Sequence, residues 1–219
     1  MPKKWQSWDE MMKIEFKDVS QSFHGRKIFG PIDGIWQGGK ITAVTGCNGS
    51  GKSTFLKLAG HLLRPTQGQV LVLADGQALT GEALRQRLAV VTPELKFYDR
   101  LTARENLDFF LGLRGRQLTE TAYAAVLARV GLAAAALGGT VMGELSTGMR
   151  QRLKLAVLLA MDADIWLLDE PGANLDENGR ALLLREVKHA AAAGKLVLLA
   201  TNDPGEEAMA DVTIALGKH

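Results

Sequence analysis

The 219-residue chain has a single cysteine and no excess of charge of either sign. Because Cys47 has no second cysteine to pair with, no disulfide can form within the chain, which excludes a disulfide-stabilised secreted scaffold and favours a reducing compartment. The 26 Lys and Arg residues nearly balance the 24 Asp and Glu residues, for a formal net charge of +2. A balance this even gives no indication of a nucleic-acid partner.

Long hydrophobic runs are also missing. The longest stretch without a charged residue, residues 130–143, contains four glycines, and it is shorter than the about 18 apolar residues of a membrane-spanning helix. No apolar run follows the charged N-terminus, so it does not resemble a signal peptide. We therefore expect a cytoplasmic chain that does not cross a membrane, with residues 1–11 as a mobile or loosely packed extension.

From residue 14 onward, short β-like runs alternate with helix-like runs, which is typical of an α/β fold. A helix is predicted over residues 54–63, with Leu62 on its buried face and Pro65 as its end. The clearest predicted strands are residues 41–44, 69–74, 88–92, 165–168, 196–200 and 212–216.

Between residues 101 and 145 the β pattern disappears. Thr102 and Glu105 have the spacing of a capping box at a helix N-terminus, and an alanine-rich run follows over residues 121–136. We expect a helical subdomain, at about residues 101–160, inserted into an α/β domain that spans residues 12–219.

Residues 46–53 satisfy the phosphate-binding pattern G-x-x-x-x-G-K-[ST]. The motif follows a predicted strand and opens a predicted helix, so glycine N–H groups can surround phosphates at a helix N-terminus. In this pattern Lys52 reaches the β- and γ-phosphates, and the Ser53 hydroxyl binds Mg²⁺. A glycine turn before an ordinary helix is the alternative, which this context disfavours. The predicted nucleotide contacts here are Gly46, Cys47, Asn48, Gly49, Ser50, Gly51, Lys52, Ser53 and Thr54.

A second constellation suits the same ligand. Asp169 follows the apolar strand of residues 165–168, where a parallel sheet delivers a carboxylate to hydrated Mg²⁺. Glu170 comes next and can accept a proton from an attacking water. Carboxylates often end strands, but together with a phosphate-binding loop this pair becomes a strong indication of nucleotide hydrolysis.

Residues 145–149, Leu-Ser-Thr-Gly-Met, resemble the L-S-G-G-Q signature of ABC-type ATPases, and residues 171–176 resemble the D-loop of that family. Phe23 matches the aromatic residue that stacks on adenine. By the order of these motifs, the chain from about residue 13 is identified as a member of this family. Residues 45–52 and 100–107 look like those of short nucleotide-binding subunits such as the ATP-binding subunit of the haem exporter in cytochrome c maturation.

The resemblance implies a P-loop NTPase core, in which a mixed sheet is flanked by helices, that binds ATP with Mg²⁺. It implies two subunits packed head to tail, most simply a homodimer, with ATP between the P-loop of one chain and Ser146 and Gly148 of the other. It also implies an integral membrane subunit, so that the chain lies on the inner face of the cell membrane and powers a transporter. In the family this subunit docks near residues 95–98, where the two aromatic residues fit a docking surface and a packed linker equally well. Nucleic acid is not an expected partner.

Three positions depart from the family pattern. Glu94 and Met149 stand where the family usually has glutamine, and Asn202 stands where it usually has histidine. Glu94 retains an oxygen ligand for Mg²⁺, whereas Asn202 can hydrogen-bond a γ-phosphate but cannot carry a positive charge. With Lys52, Glu170 and Asn202 as catalytic residues, these departures predict an ATPase that still hydrolyses ATP, but slowly. The expected metal ligands are Ser53, Glu94 and Asp169.

Two other functions use part of the same pattern. A soluble ABC-type ATPase acting on a protein scaffold is the main alternative. The DNA-repair branch of soluble members is excluded because the gap between Lys52 and Ser146 has no room for its long coiled coil. The translation branch is excluded because its two ATPase units do not fit in a chain of this length. A P-loop kinase would not explain residues 145–149.

Overall fold

The computed structural model describes residues 11–217, so the predicted extension lies outside the described residues except for Met11. The strands are β1 (Lys13–Phe23), β2 (Arg26–Gln37), β3 (Ile41–Thr45), β4 (Gln67–Ala74), β5 (Gln77–Ala78), β6 (Leu88–Val91), β7 (Ile165–Asp169), β8 (Leu196–Ala200) and β9 (Val212–Ala215). The α-helices are α1 (Lys52–Ala59), α2 (Gly81–Arg87), α3 (Ala103–Gly112), α4 (Glu120–Arg129), α5 (Ala134–Leu137), α6 (Thr147–Met161), α7 (Glu177–Ala192) and α8 (Pro204–Glu207), and residues Met142–Glu144 form a short 3₁₀ helix.

The strands divide between two sheets. An antiparallel sheet has the order β2-β1-β4-β5, and a parallel sheet has the order β6-β7-β8-β3-β9. Asp169 at the end of β7 is in register with Ala200 at the end of β8, and Val44 of β3 pairs with Ala200 on the other side. The loops that follow β3, β7 and β8 therefore emerge side by side at one edge of the parallel sheet.

Strand β7 is buried on both faces, as a central strand of a parallel sheet must be. Trp166 and Leu168 pack into a core shared with the helical segment, whereas Ile165 and Leu167 pack into a core shared with α1 and the antiparallel sheet. The parallel sheet is thus the middle layer, which explains its near-continuous apolar sequence.

Helix α1 is attached to the antiparallel sheet through aromatic rings. Phe55 is fully buried, and its ring centroid lies 4.7 Å from that of Phe16, 5.2 Å from that of Trp36 and 6.2 Å from that of Phe29. Since β1 and β2 carry these three partners, they hold the helix that opens directly after residues 46–51. The sequence pattern did not predict β2, in which apolar residues are adjacent at Ile28–Phe29 and at Ile35–Trp36 instead of alternating with polar ones.

The prediction of a helix over residues 54–63 ending at Pro65 is wrong at its end. Helix α1 stops at Ala59, because His61 adopts a left-handed backbone (φ 55°) and its N–H donates to Leu58 O. Gly60 packs so closely on β7 that a Cβ there would lie 2.7 Å from Leu167 Cδ1. Leu62 is consequently 60% exposed instead of lying on a buried helical face.

Residues 103–161 are mainly helical. Thr102 and Glu105 form the predicted capping box on α3. The alanine-rich run does not form one helix, because the chain turns at Gly131 between α4 and α5. Helix α6 packs against both α3 and α4 and contributes a buried face to the core. Among residues 11–217, no helix combines the length and the apolar character required to span a bilayer.

Candidate active site

The loop between β3 and α1 has a backbone that only glycine permits at two positions. Gly46 (φ 141°) and Gly51 (φ 100°) lie in the left-handed region. A Cβ on Gly46 would lie 2.4 Å from Leu216 O, and a Cβ on Gly51 would lie 2.6 Å from Ile28 Cγ2. The loop is thus packed closely against β2 and the residue that follows β9, directly before the start of α1, where backbone N–H groups lack helical acceptors.

Lys52 lies at the centre of the site and is 7% exposed. Its Nζ donates to Gly46 O at 2.9 Å and to Asn202 Oδ1 at 3.1 Å, and it lies 3.8 Å from Glu170 Oε1. The ammonium group therefore joins the loops that follow β3, β7 and β8.

Asn202 completes this network from the loop after β8. Its Nδ2 donates to Asn48 Oδ1 at 2.8 Å and to Glu170 Oε1 at 3.3 Å. Glu170 has a left-handed backbone (φ 47°), which is uncommon outside glycine and occurs often at functional positions. The structure thus brings together the three side chains predicted to be catalytic: Lys52, Glu170 and Asn202.

Oxygen donors meet beside this network. Asp169 is 4% exposed, and within residues 11–217 its Oδ1 has no hydrogen-bond partner. Burial raises the pKa of Asp169, and a hydrogen bond with the Ser53 hydroxyl opposes that rise. The pKa of Glu94 is lowered by hydrogen bonds from its own N–H and from Thr92, and by the more distant charges of Lys57 and Lys154. An unpartnered buried carboxylate oxygen, a hydroxyl and an ionised carboxylate make up a donor set suited to a hard divalent cation.

These groups line one open cleft of about 480 Å³. Phe23, at the end of β1, is 40% exposed and lines the cleft along with Thr54. Cys47 is an exposed free thiol. The Ser50 side chain is buried, and its backbone N–H donates to Cys47 O at 3.0 Å. Other residues along the cleft are Asn48, Gly49, Gly51, Lys52, Ser53, Glu94, Asp169 and Glu170.

Ser146 and Gly148 lie elsewhere. The Ser146 hydroxyl caps α6 by accepting from Met149 N, and both residues line a separate cleft of about 410 Å³ that also includes Asn174 and Asp176. Within one chain the structure does not bring them to Lys52.

Sequence reasoning missed two buried charged residues around the site. Lys154 of α6 is 9% exposed, and Glu206 of α8 is 3% exposed. A lysine inside the apolar run that follows residue 152 is a signal that was available, whereas Glu206 stands in a charged stretch and carries no sequence mark of burial.

A glycine-rich loop opening a helix, a central lysine and a strand ending in two carboxylates together define a P-loop nucleoside triphosphatase. More specifically, residues 31–173 match the family model described as ABC transporter, and the chain belongs to that family. It is 34% identical over 191 residues to the cytochrome c biogenesis ATP-binding export protein CcmA of Salmonella typhi, and this match covers 87% of this chain and 90% of that protein. It is 36% identical over 187 residues to the CcmA protein of Xanthomonas axonopodis pv. citri, with 84% of each chain covered.

Among solved structures, a bacterial ABC transporter cassette determined as a dimer matches with a TM-score of 0.80 at 24% identity, covering 93% of this chain and 94% of that chain. This likeness shows the fold. Together with the family match, it confirms the predicted P-loop NTPase core and the predicted family. The chain is an ATP-binding, ATP-hydrolysing subunit of the ABC transporter type.

Proposed function

We propose that this subunit hydrolyses ATP through the network of Lys52, Asn202 and Glu170, and that the cycle powers a membrane transporter. The observation that carries the proposal is the position of the Lys52 ammonium, which contacts the loop backbone, Asn202 and Glu170 at once. A buried ammonium beside glycine N–H groups is suited to bind the β- and γ-phosphates.

Glu170 takes the proton of the attacking water, and Asn202 orients the Glu170 carboxylate through the 3.3 Å hydrogen bond. Ser53, Glu94 and Asp169 would hold Mg²⁺, which when bound would neutralise phosphate charge. In the described part of the chain no three His, Cys, Asp or Glu side chains form a metal cluster, so the nucleotide and water would complete the coordination. Phe23 provides a ring for the adenine at the edge of the cleft.

The separate position of Ser146 and Gly148 supports a shared site, in which a second copy of the chain supplies these two residues to the nucleotide. Ser146 stands at the N-cap of α6, so its hydroxyl and the Gly148 N–H are suited to contact a phosphate across an interface. A head-to-tail homodimer is the assembly that would bring the two clefts together.

Residues 95–98 supply the proposed surface for an integral membrane subunit. Phe97 packs inward against Phe110, but Tyr98 is 51% exposed and packs edge-on against the 39% exposed Phe109 with ring centroids 4.9 Å apart. We place the chain at the inner face of the membrane through this contact. A protein scaffold is the alternative partner, and the export function in the names of the relatives favours a transporter.

Two variants test the roles within the network. We expect Lys52→Ala to abolish binding of a fluorescent ATP analogue, because it removes the charge that holds the phosphates. We expect Glu170→Gln to keep binding and to lower phosphate release by about 10²–10⁴-fold, as loss of a positioned general base does.

The matched control is Lys17→Ala, which removes a half-exposed lysine on β1 and should change neither measurement. Equal loss of nucleotide binding in the Lys52 and Glu170 variants would contradict the proposed division of roles.

A further inference from the structure

Helix α6 carries a lysine that reaches the loop before Glu94. Lys154 lies midway along the helix among apolar neighbours and is 9% exposed. Its Nζ donates to Thr92 O at 3.0 Å and to Pro93 O at 3.2 Å. These are the last two carbonyl groups before Glu94, so the helix holds the loop directly beside its acidic residue.

Burying this ammonium group is costly. Desolvation lowers the pKa of Lys154, and the attraction of Glu94 opposes that shift. A methionine would have no charge to desolvate, but it would leave Thr92 O and Pro93 O without the donor that Lys154 supplies. The hydrogen bonds that offset this desolvation both go to the loop before Glu94, so the effect of the lysine is concentrated on that loop.

The Glu94 side chain is held by the same short segment, residues 92–94. Its carboxylate accepts hydrogen bonds from its own N–H and from the Thr92 side chain, and Glu94 lines the cleft with Asp169. The Thr92 hydroxyl thus binds the carboxylate while the Thr92 carbonyl binds Lys154. A shift of Lys154 would move the groups that orient Glu94.

Lys57 of α1 provides a comparison. It also lowers the pKa of Glu94 through its charge, but among the described residues its ammonium group makes no hydrogen bond to the loop. Lys154 and Lys57 share the electrostatic effect, and Lys154 alone of the two holds the backbone.

We infer that Lys154 is a positioning residue that holds Glu94, from helix α6, in reach of the metal site beside Asp169. The inference rests on the proposed function, in which Glu94 is a ligand of Mg²⁺. Since Ser146 caps the same helix, the element that presents Ser146 to a second copy of the chain also positions a metal ligand of its own site.

The test measures how much Mg²⁺ is needed for half-maximal binding of a fluorescent ATP analogue, in the full chain carrying Glu170→Gln to prevent turnover. We expect Lys154→Met to raise this concentration about three- to tenfold, within the range of coupling between neighbouring side chains. Lys57→Met is the matched control. Removing a positive charge near a cation site favours the cation, so the Lys57 variant should lower the concentration or leave it unchanged.

Glu94→Ala should raise the Mg²⁺ requirement by itself, and adding Lys154→Met to it should have no further effect. Thermal unfolding checks that each variant folds, and Lys154→Gln, which is shorter but polar, serves with the same expectation if the methionine variant does not fold. An unchanged Mg²⁺ requirement in the Lys154 variants, or an equal rise with and without Glu94, would overturn the inference alone. If Glu94→Ala leaves the requirement unchanged, the proposed metal role of Glu94 fails as well.

Discussion

At the scale of single residues, Asn202 links the two charged side chains at the centre of the site, Lys52 and Glu170. Its amide accepts from Lys52 and donates to Glu170, so it bridges a cation and a carboxylate whose nearest atoms are 3.8 Å apart. Unlike the histidine usual in the family, it cannot add positive charge facing the γ-phosphate.

We predict that Asn202→His raises the ATPase rate of the isolated subunit by up to about ten- to a hundredfold. A hydrogen bond to a charged group is worth about 1.5–3 kcal/mol, and this range follows if that bond acts only in the transition state. Phosphate release at saturating ATP measures the effect, with Asn202→Gln as a neutral control expected to give no gain. An unchanged rate at intact nucleotide affinity would mean that another group positions the γ-phosphate.

Glu206 is a second informative residue, because its carboxyl group is buried beside the loop that follows Glu170. Burial raises the pKa of Glu206, the charges of Asp203 and Glu170 raise it further, and hydrogen bonds with Thr201 and the Gly172 backbone oppose the rise. Its Oε2 has no partner within residues 11–217. The protonated form therefore favours the folded state.

A folded-state pKa above the unfolded value means that this stabilisation is complete below the ordinary pKa of a glutamate and is lost as the pH rises through the folded-state pKa. We predict that Glu206→Gln, which stays neutral, gains stability relative to the parent chain as the pH increases from about 5 to 8. Urea unfolding at both pH values measures the difference. A difference that does not change with pH, or that changes in the opposite direction, would contradict a protonated Glu206 in the fold.

At the scale of elements, the packing of α1 connects the antiparallel sheet to the nucleotide site. Phe55 is buried among Phe16, Phe29 and Trp36, one turn after Lys52. Any displacement of this helix moves its N-terminus and the glycine loop.

We predict that Phe55→Ala lowers the free energy of unfolding by about 3–5 kcal/mol and weakens ATP binding, because the cavity it leaves loosens α1 from β1 and β2. Denaturant unfolding and nucleotide titration measure the two effects. Phe109→Ala removes a 39% exposed ring from α3 and should cost far less stability with ATP binding unchanged. A Phe55 variant as stable as the Phe109 variant would show that the aromatic cluster does not hold the helix.

At the scale of the whole molecule, one chain presents two separate clefts. The cleft with Lys52 lacks Ser146 and Gly148, which line the other cleft with Asn174 and Asp176. Arg152 also lines the second cleft and forms a 2.6 Å ion pair with Asp176.

We predict that the Glu170→Gln chain is monomeric without nucleotide and becomes a dimer in saturating ATP and Mg²⁺, as measured by light scattering. Adding Ser146→Arg should prevent dimer formation while leaving ATP binding to the monomer intact, because the larger and positively charged arginine side chain obstructs the shared site. If the Glu170→Gln chain stays monomeric in saturating ATP and Mg²⁺, the subunit does not complete its site with a second copy alone.

Local sequence patterns predicted much of this protein. The glycine loop, the strand ending in Asp169 and Glu170 and the capping box of Thr102 and Glu105 were visible because each depends on neighbours in the chain. Such features reflect backbone preferences and the period of apolar residues. The end of α1 was predicted wrongly. The helix ends at Ala59, and the next residue, Gly60, packs on Leu167, a residue of a strand that is distant in the sequence.

Contacts between distant residues were decided only by the tertiary structure. The order of strands in the parallel sheet brings Asn202 to Lys52 across 150 positions, and the packing of α6 brings Lys154 to Thr92 across 62. Local sequence patterns do not reveal contacts between residues this far apart in the chain. The sequence by itself determined that the chain is an ABC-type ATPase. The side chains that contact Glu170 and the loop before Glu94 follow from which strands and helices become neighbours, because hydrogen bonds depend on proximity in space and not along the chain.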